Sequence, residues 1–345
     1  MFLSCNKITS LDLSSFITSK VNHLRYVFLD CFSLSYLDIS HFDTSKVTDM
    51  DRFLSNCNSL TSINLSSFNT GNVRKMSSLF NNNYSLKSLD ISNFDISKVT
   101  ELDYMFFNCS SLTSLDLSNF VGEKVYHISS MFENCIKLRQ LNLDNFEANI
   151  IKMWGVFRNC HSLRHINLSK IKTDETIYVD YLFENCYSLK YLDLSNFSLK
   201  LVDQVHGMFK NCYSLTSIKL PNLNTSKIVE MTSMFESCGN LTSLDLSHFD
   251  TRKVLNMYRL FYNCSSLKTL IIKFNTSRVD NMRYMFGSCT SLTSLNISTF
   301  TTNKYNNNFE GMFENDIGLH LYITINTCKV LIQQLPSYIN LHQIP

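Results

Sequence analysis

Residues 109–134 read CSSLTSLDLSNFVGEKVYHISSMFEN, and the same columns return along almost the whole chain. Cysteine stands at 5, 31, 57, 109, 135, 160, 186, 212, 238, 264 and 289, with Asn83 in register at the middle of the one doubled gap. The period is 26 residues, shortened to 25 twice. A fixed period of this size is the signature of a solenoid, whose units bury their apolar faces only against their neighbours. From Cys5 to Asp316 there are twelve units.

Within one unit, with the cysteine as position 1, Leu or Ile recurs at positions 4, 7 and 9. That spacing puts 7 and 9 on one side of a short strand and leaves 6, 8 and 10 wet. An aromatic follows at position 12, as in Phe16, Phe42, Phe68, Phe94, Phe120 and Phe146. Next comes a Thr-Ser-Lys step, then apolar residues spaced by three, such as Val47, Met50 and Phe53. The Ser and Thr read as N-caps and the spacing as one or two helical turns. The expected fold is an α/β repeat solenoid with a parallel sheet on one face and short helices on the other. Twelve strands at about 4.8 Å make a slab on the order of 55–60 Å long. The Phe columns, including Phe80, Phe106, Phe132 and Phe209, form its internal spine.

Composition narrows the function classes. The chain has 345 residues, a net charge of +2, 17% charged and 44% hydrophobic residues, 8 Gly, 3 Pro and a single alanine, Ala148. These values exclude a disordered chain and a nucleic-acid binder that relies on overall charge. No apolar run approaches the roughly 18 residues of a membrane span, and MFLSCNKITS lacks the basic start and apolar run of a signal peptide.

Together SLTSLDLSNF (111–120), FDTSKVTDM (42–50) and the MFxNC element resemble the repeats of BspA-like leucine-rich repeat surface proteins. The resemblance covers nearly the whole chain. It implies a leucine-rich repeat solenoid over 1–324 and a non-catalytic, adhesin-like surface or secreted module that binds host or matrix partners. No export signal or anchor is visible, so the surface location is inherited from the resemblance. The chain starts mid-repeat, and its N-terminal edge is a place for end-to-end self-association. Residues 325–345 lose the repeat spacing and read as a C-terminal capping segment.

Stacked cysteines lie within Cα reach of a disulfide, but identical positions point their Cβ atoms in parallel, which favours buried free thiols. With no CxxC pair, no metal site is expected, and no cofactor. Cys328 lies outside the register and is unassigned. Asparagine usually precedes the cysteine, as in Asn56, Asn82 and Asn108, and reads as an amide row satisfying turn backbone groups.

The wet sheet face is the surface all repeats share. Position 8 carries Asp12, Asp38, Asp90, Asp116, Asp193 and Asp245, solvated by flanking serines in one reading. In another they attract cations, or serve a polysaccharide-active enzyme with paired carboxylates. No singular His or Arg signature accompanies them, so the enzyme is the alternative and a structural spacer a third reading. The Thr-Ser pattern at positions 5 and 6 is broken in three successive units, by Arg139-Gln140, Arg164-His165 and Lys190-Tyr191. Position 8 changes alongside to Asn142 and Asn167, and Lys219 replaces the acid further on. Repeat drift on a solvated face accounts for this, or else Arg139, Gln140, Arg164, His165, Lys190, Tyr191 and Lys219 form a patch for a protein or acidic glycan. The row Lys20, Lys46, Lys98, Lys124, Lys227 and Lys253 reads as a solvated edge. Trp154 is a partner contact or packing.

Overall fold

The computed structural model describes residues 2–220, 224–301, 308–324 and 329–344, so Cys328 lies outside the described residues. The chain divides into two compact units, 1–173 and 174–345, and in each the repeats are coils stacked by parallel backbone pairing. In the first, β1 (Ser10–Leu11) pairs with β2 (Tyr36–Leu37), β3 (Ser114–Asp116) with β4 (Gln140–Asn142), and β5 (Ala148–Asn149) with β6 (Ile171–Lys172). In the second, β7 (Tyr191–Asp193) pairs with β8 (Ser217–Lys219), and β9 (Ser243–Asp245) with β10 (Thr269–Ile271). There β11 (Ser294–Asn296), β12 (His320–Ile323) and β13 (Asn340–Gln343) make one parallel sheet, with the helix α1 (Lys329–Gln333) between the last two strands. Register follows the repeat, so that Leu115 faces Leu141 and Leu192 faces Ile218. No helix among the described residues is long and apolar enough to cross a membrane.

The second face corrects the sequence reading. Among the described residues α1 is the only α-helix, and the segment with apolar residues spaced by three is a run of tight turns. The amides of Leu102, Tyr104, Phe106 and Asn108 donate to the carbonyls of His127, Ser129, Met131 and Glu133 in the next coil, at 2.8–3.0 Å. Those of Met105, Phe107 and Cys109 donate three residues back. A helix would bond every amide four residues back within its own segment, whereas here alternate amides cross between coils. Each repeat also carries two residues of positive φ, four apart: Arg52 and Asn56, Tyr104 and Asn108, Ser130 and Asn134. Left-handed residues break a right-handed helix. The same face carries a ladder of parallel bridges through His23, Asp49, Lys75, Glu101, His127 and Lys152, and in the second unit through Gln204, Glu230, Asn256 and Asn281.

The threonines expected as N-caps clamp coils together instead. Thr70 Oγ1 donates to the Asp95 carbonyl at 2.9 Å and accepts from the Asp95 amide at 2.7 Å. Thr251 does the same to Asn275. A buried hydroxyl is both donor and acceptor, so one side chain satisfies the amide and the carbonyl of one residue in the next coil. Asparagine before the cysteine has two physical reasons. It tolerates positive φ, and its amides bond one another: Asn108 donates to Asn82 and Asn82 to Asn56, each at 2.6 Å. That ladder replaces the turn-backbone bonds the sequence suggested.

The core matches the columns. Leu112, Leu115 and Leu117 are buried, and fully buried phenylalanines stack from coil to coil. Phe80, Phe106, Phe132 and Phe157 follow at centroid spacings of 5.5–5.7 Å with nearly parallel planes, and Phe209, Phe235, Phe261 and Phe286 at 5.3–5.8 Å. Each buried ring is worth about 1.5–3 kcal/mol. The described repeat cysteines are free thiols, and all but Cys5 are buried. Their Sγ atoms donate to the phenylalanine carbonyl one coil earlier, as Cys135 does to Phe106 at 3.1 Å and Cys238 to Phe209 at 3.2 Å. Burial pushes the thiols of Cys109 and Cys212 up to about 12.

Candidate functional site on the exposed sheet face

The wet-face acids have a local structural role. Oδ1 of each accepts the amide two residues on: Asp90 from Ser92 at 3.0 Å, Asp116 from Ser118 at 2.9 Å, Asp245 from Ser247 at 2.9 Å. Asn142 and Asn167 accept from Asp144 and Ser169 in the same way, at 3.1 Å. This side-chain turn closes the strand and takes Asp or Asn alike. The change to Asn142 and Asn167 in the middle repeats therefore preserves the turn and removes only a charge. Hydrogen bonds from the following serine hold Asp12, Asp38, Asp90, Asp116 and Asp245 below the usual carboxylate range. Asp193 is lowered to about 2, by Ser195 first and then by Lys219.

In the first unit these turns border a groove of about 820 Å³ across the sheet face. Its lining includes Asp90, Asp116, Arg139, Gln140, Asn142, Asp144, His165 and Asn167. The pairing of β3 with β4 sets Gln140 beside Ser114 and Asn142 beside Asp116, while the Arg139 amide donates to the Thr113 carbonyl at 2.9 Å. A neighbouring recess of about 400 Å³ is lined by Thr113, Ser114, Arg139, Gln140 and Arg164 and contains no acid. The structure thus brings Arg139, Gln140, Arg164 and His165 to one surface and adds the carboxylates of Asp90, Asp116 and Asp144. Asp144 stands where most repeats carry serine, a break in the column that was open to reading from the sequence. It accepts from Asn167 Nδ2 at 2.8 Å.

Lys190, Tyr191 and Lys219 belong to the second unit. Lys190 is exposed just before β7 and Tyr191 lies on it. The Tyr191 hydroxyl donates to Asp193 Oδ2 at 3.3 Å, and Lys219 Nζ donates to the same oxygen at 3.2 Å. The Lys219 ammonium thus faces the Asp193 carboxylate across an exposed ion pair. Further along this unit, His320, Tyr322 and His342 form an exposed ring stack on β12 and β13, at 4.9 Å for the two histidines and 5.2 Å for Tyr322 on His342. His342 lies beyond the repeats, so no column pointed to it. Trp154 is partly buried, with the Arg158 guanidinium 5.9 Å from its ring.

The family model described as "Mycoplasma protein of unknown function, DUF285" matches residues 1–112, 61–150, 140–244 and 231–324. No curated protein matches the chain. Among solved structures, it is similar to a leucine-rich repeat protein from Bacteroides ovatus, at 19% identity over 88% of each chain with a TM-score of 0.40. A leucine-rich cell surface protein from Faecalibacterium prausnitzii is 17% identical over 76% of this chain and 80% of that one, with a TM-score of 0.31. The pneumococcal vaccine antigen PcpA is 18% identical over 91% and 72%, with a TM-score of 0.42.

Proposed function

Because the chain belongs to the DUF285 family, whose description assigns no activity, its function has to be argued from its own surface, and we propose a non-catalytic interaction module that binds a protein partner through the sheet-face groove of the first unit. The observation that carries this reading is the groove's mixed lining, in which Asp90, Asp116 and Asp144 accompany Arg139, with the acid-free recess lined by Arg139 and Arg164 alongside. Such a surface suits a polypeptide segment that offers a carboxylate to the arginines and a basic side chain to the aspartates. A surface or secreted location agrees with the likeness to BspA-like repeats.

Catalysis by paired carboxylates needs one acid pushed up and its partner held down. The acids of this column move together, all downward, because each closes its own turn. That supports the non-catalytic reading.

An acidic glycan is the second reading, favoured by the arginine recess taken alone. Matrix proteins and acidic glycans, arrayed at low and physiological salt, separate the two when probed with the chain, with Arg139→Ser/Arg164→Ser, and with Asp90→Asn/Asp116→Asn. A protein partner is lost by both variants. A glycan is lost by the arginine variant and held more tightly by the asparagine one, since asparagine keeps the turn and removes the repulsion. Binding that neither variant changes would place the site elsewhere, and Lys190→Ser then asks whether the second unit carries it.

A further inference from the structure

On the turn face of the first unit, away from the groove, three side chains with metal-binding atoms converge. Glu101 and Asp103 come from one coil and His127 from the next, and one donor atom from each lies within 4.8 Å of the other two. His127 Nδ1 is 3.9 Å from Glu101 Oε1 and 3.9 Å from Asp103 Oδ2. That distance is too long for a hydrogen bond. It is close to the separation of about 3.0–3.5 Å between ligand atoms held on one ion by bonds of about 2.1 Å, and small side-chain rotations close the difference.

The backbone prepares this arrangement. Glu101 and His127 are bridge partners in the ladder of the turn face, and the Leu102 amide bonds the His127 carbonyl at 2.9 Å. Asp103 Oδ1 accepts the Ser129 amide at 2.6 Å, which fixes the carboxylate and leaves Oδ2 on the imidazole side. Outer-sphere bonds of this kind orient metal ligands. The same amide bond recurs without the triad, from Ser77 to Asp51 and from His206 to Asp180, so it is part of the coil. Among the described residues, only here do an imidazole and two carboxylates bring ligand atoms within 4.8 Å of one another.

We propose that Glu101, Asp103 and His127 form a binding site for a divalent transition-metal ion of the Zn²⁺ or Co²⁺ type, joining two adjacent coils. One imidazole nitrogen with two carboxylates is a borderline donor set, which distinguishes it from an all-oxygen calcium site. Lys75 and Lys152 are the ladder neighbours on either side, and their charge opposes the ion. No column points to this site, because Glu101 and His127 share a position that changes from repeat to repeat and aspartate at the Asp103 position recurs at Asp51 and Asp180 without the triad.

Titration of the purified, reduced chain with Co²⁺, followed by absorption, tests the proposal. The expected result is saturation at one equivalent, with visible bands of nitrogen and oxygen coordination, no intense near-ultraviolet thiolate band, and a raised thermal midpoint. His127→Ala and Asp103→Asn should each weaken binding by about tenfold or more while keeping the far-ultraviolet circular dichroism of the parent. Asp103→Asn retains the oxygen that accepts the Ser129 amide, so its loss of affinity does not report misfolding. No saturable binding, undiminished binding by both variants, or a thiolate band that grows with occupancy would each overturn the assignment.

Discussion

The side-chain amide of Asn83 donates to the carbonyl of Leu54 at 2.9 Å, the bond that Cys57 makes to Phe28 one coil earlier and Cys109 to Phe80 one coil later. In the neighbouring coils a thiol supplies the donor at this place, and in this coil a side-chain amide supplies it. The substitution has a cost, because Asn83 is fully buried and its Oδ1 has no hydrogen-bond partner.

Asn83→Cys should therefore stabilise the chain by about 1 kcal/mol, through removal of an unsatisfied buried oxygen. Chemical denaturation at constant m-value measures it. A destabilised variant would mean that the amide has a partner the geometry does not show.

Asp316 occupies the same column above Cys289. It is buried, neither carboxylate oxygen has a partner, and burial pushes the carboxyl up to about 7. The folded chain keeps this proton up to about pH 7, whereas the unfolded chain releases it near 3.9. The folded state thus binds more protons between about pH 4 and 7, and stability falls as pH rises through that window. Asp316→Asn, whose amide can donate as Asn83 does, should raise stability by about 2–4 kcal/mol at pH 8 and change it little near pH 4. Thermal melts of both proteins across this range check the sign. A gain independent of pH would exclude the ionised carboxylate as its origin.

The turn role of the wet-face acids predicts a chemical distinction. Asp116→Asn should leave stability within about 0.5 kcal/mol, and Asp116→Ala should lower it by about 1 kcal/mol, since only the second loses the bond to Ser118. Equal effects from the two would show that charge, and not the turn, matters at this position.

Thiol chemistry follows from burial. Burial raises Cys57, Cys109, Cys160 and Cys212, and only thiolate reacts. Ellman's reagent should leave the ten buried repeat cysteines unmodified in the native protein and reach all 12 cysteines of the chain only in denaturant. Rapid native labelling of more than two would contradict the packed column.

The solenoid, its period, the leucine strand, the phenylalanine spine and the buried thiols were legible because each rests on a column, and a column needs only counting. The turn face was misread for a definite reason. Spacing by three is shared by a helix and by successive turns bonded three residues back, and what separates them is the destination of the remaining amides. Those of Tyr104 and Asn108 go to the next coil, a partner that no single repeat contains.

For the surface, sequence alone determined that Arg139, Gln140, Arg164 and His165 depart from the repeat. Only the tertiary structure decided that Asp90, Asp116 and Asp144 share their groove, that Lys219 is held by Asp193, and that Glu101, Asp103 and His127 meet. Stacking turns a separation of about one repeat into a contact of a few ångströms, and which side chains meet depends on the register of the coils and on each turn's direction, both of which are properties of the assembled backbone.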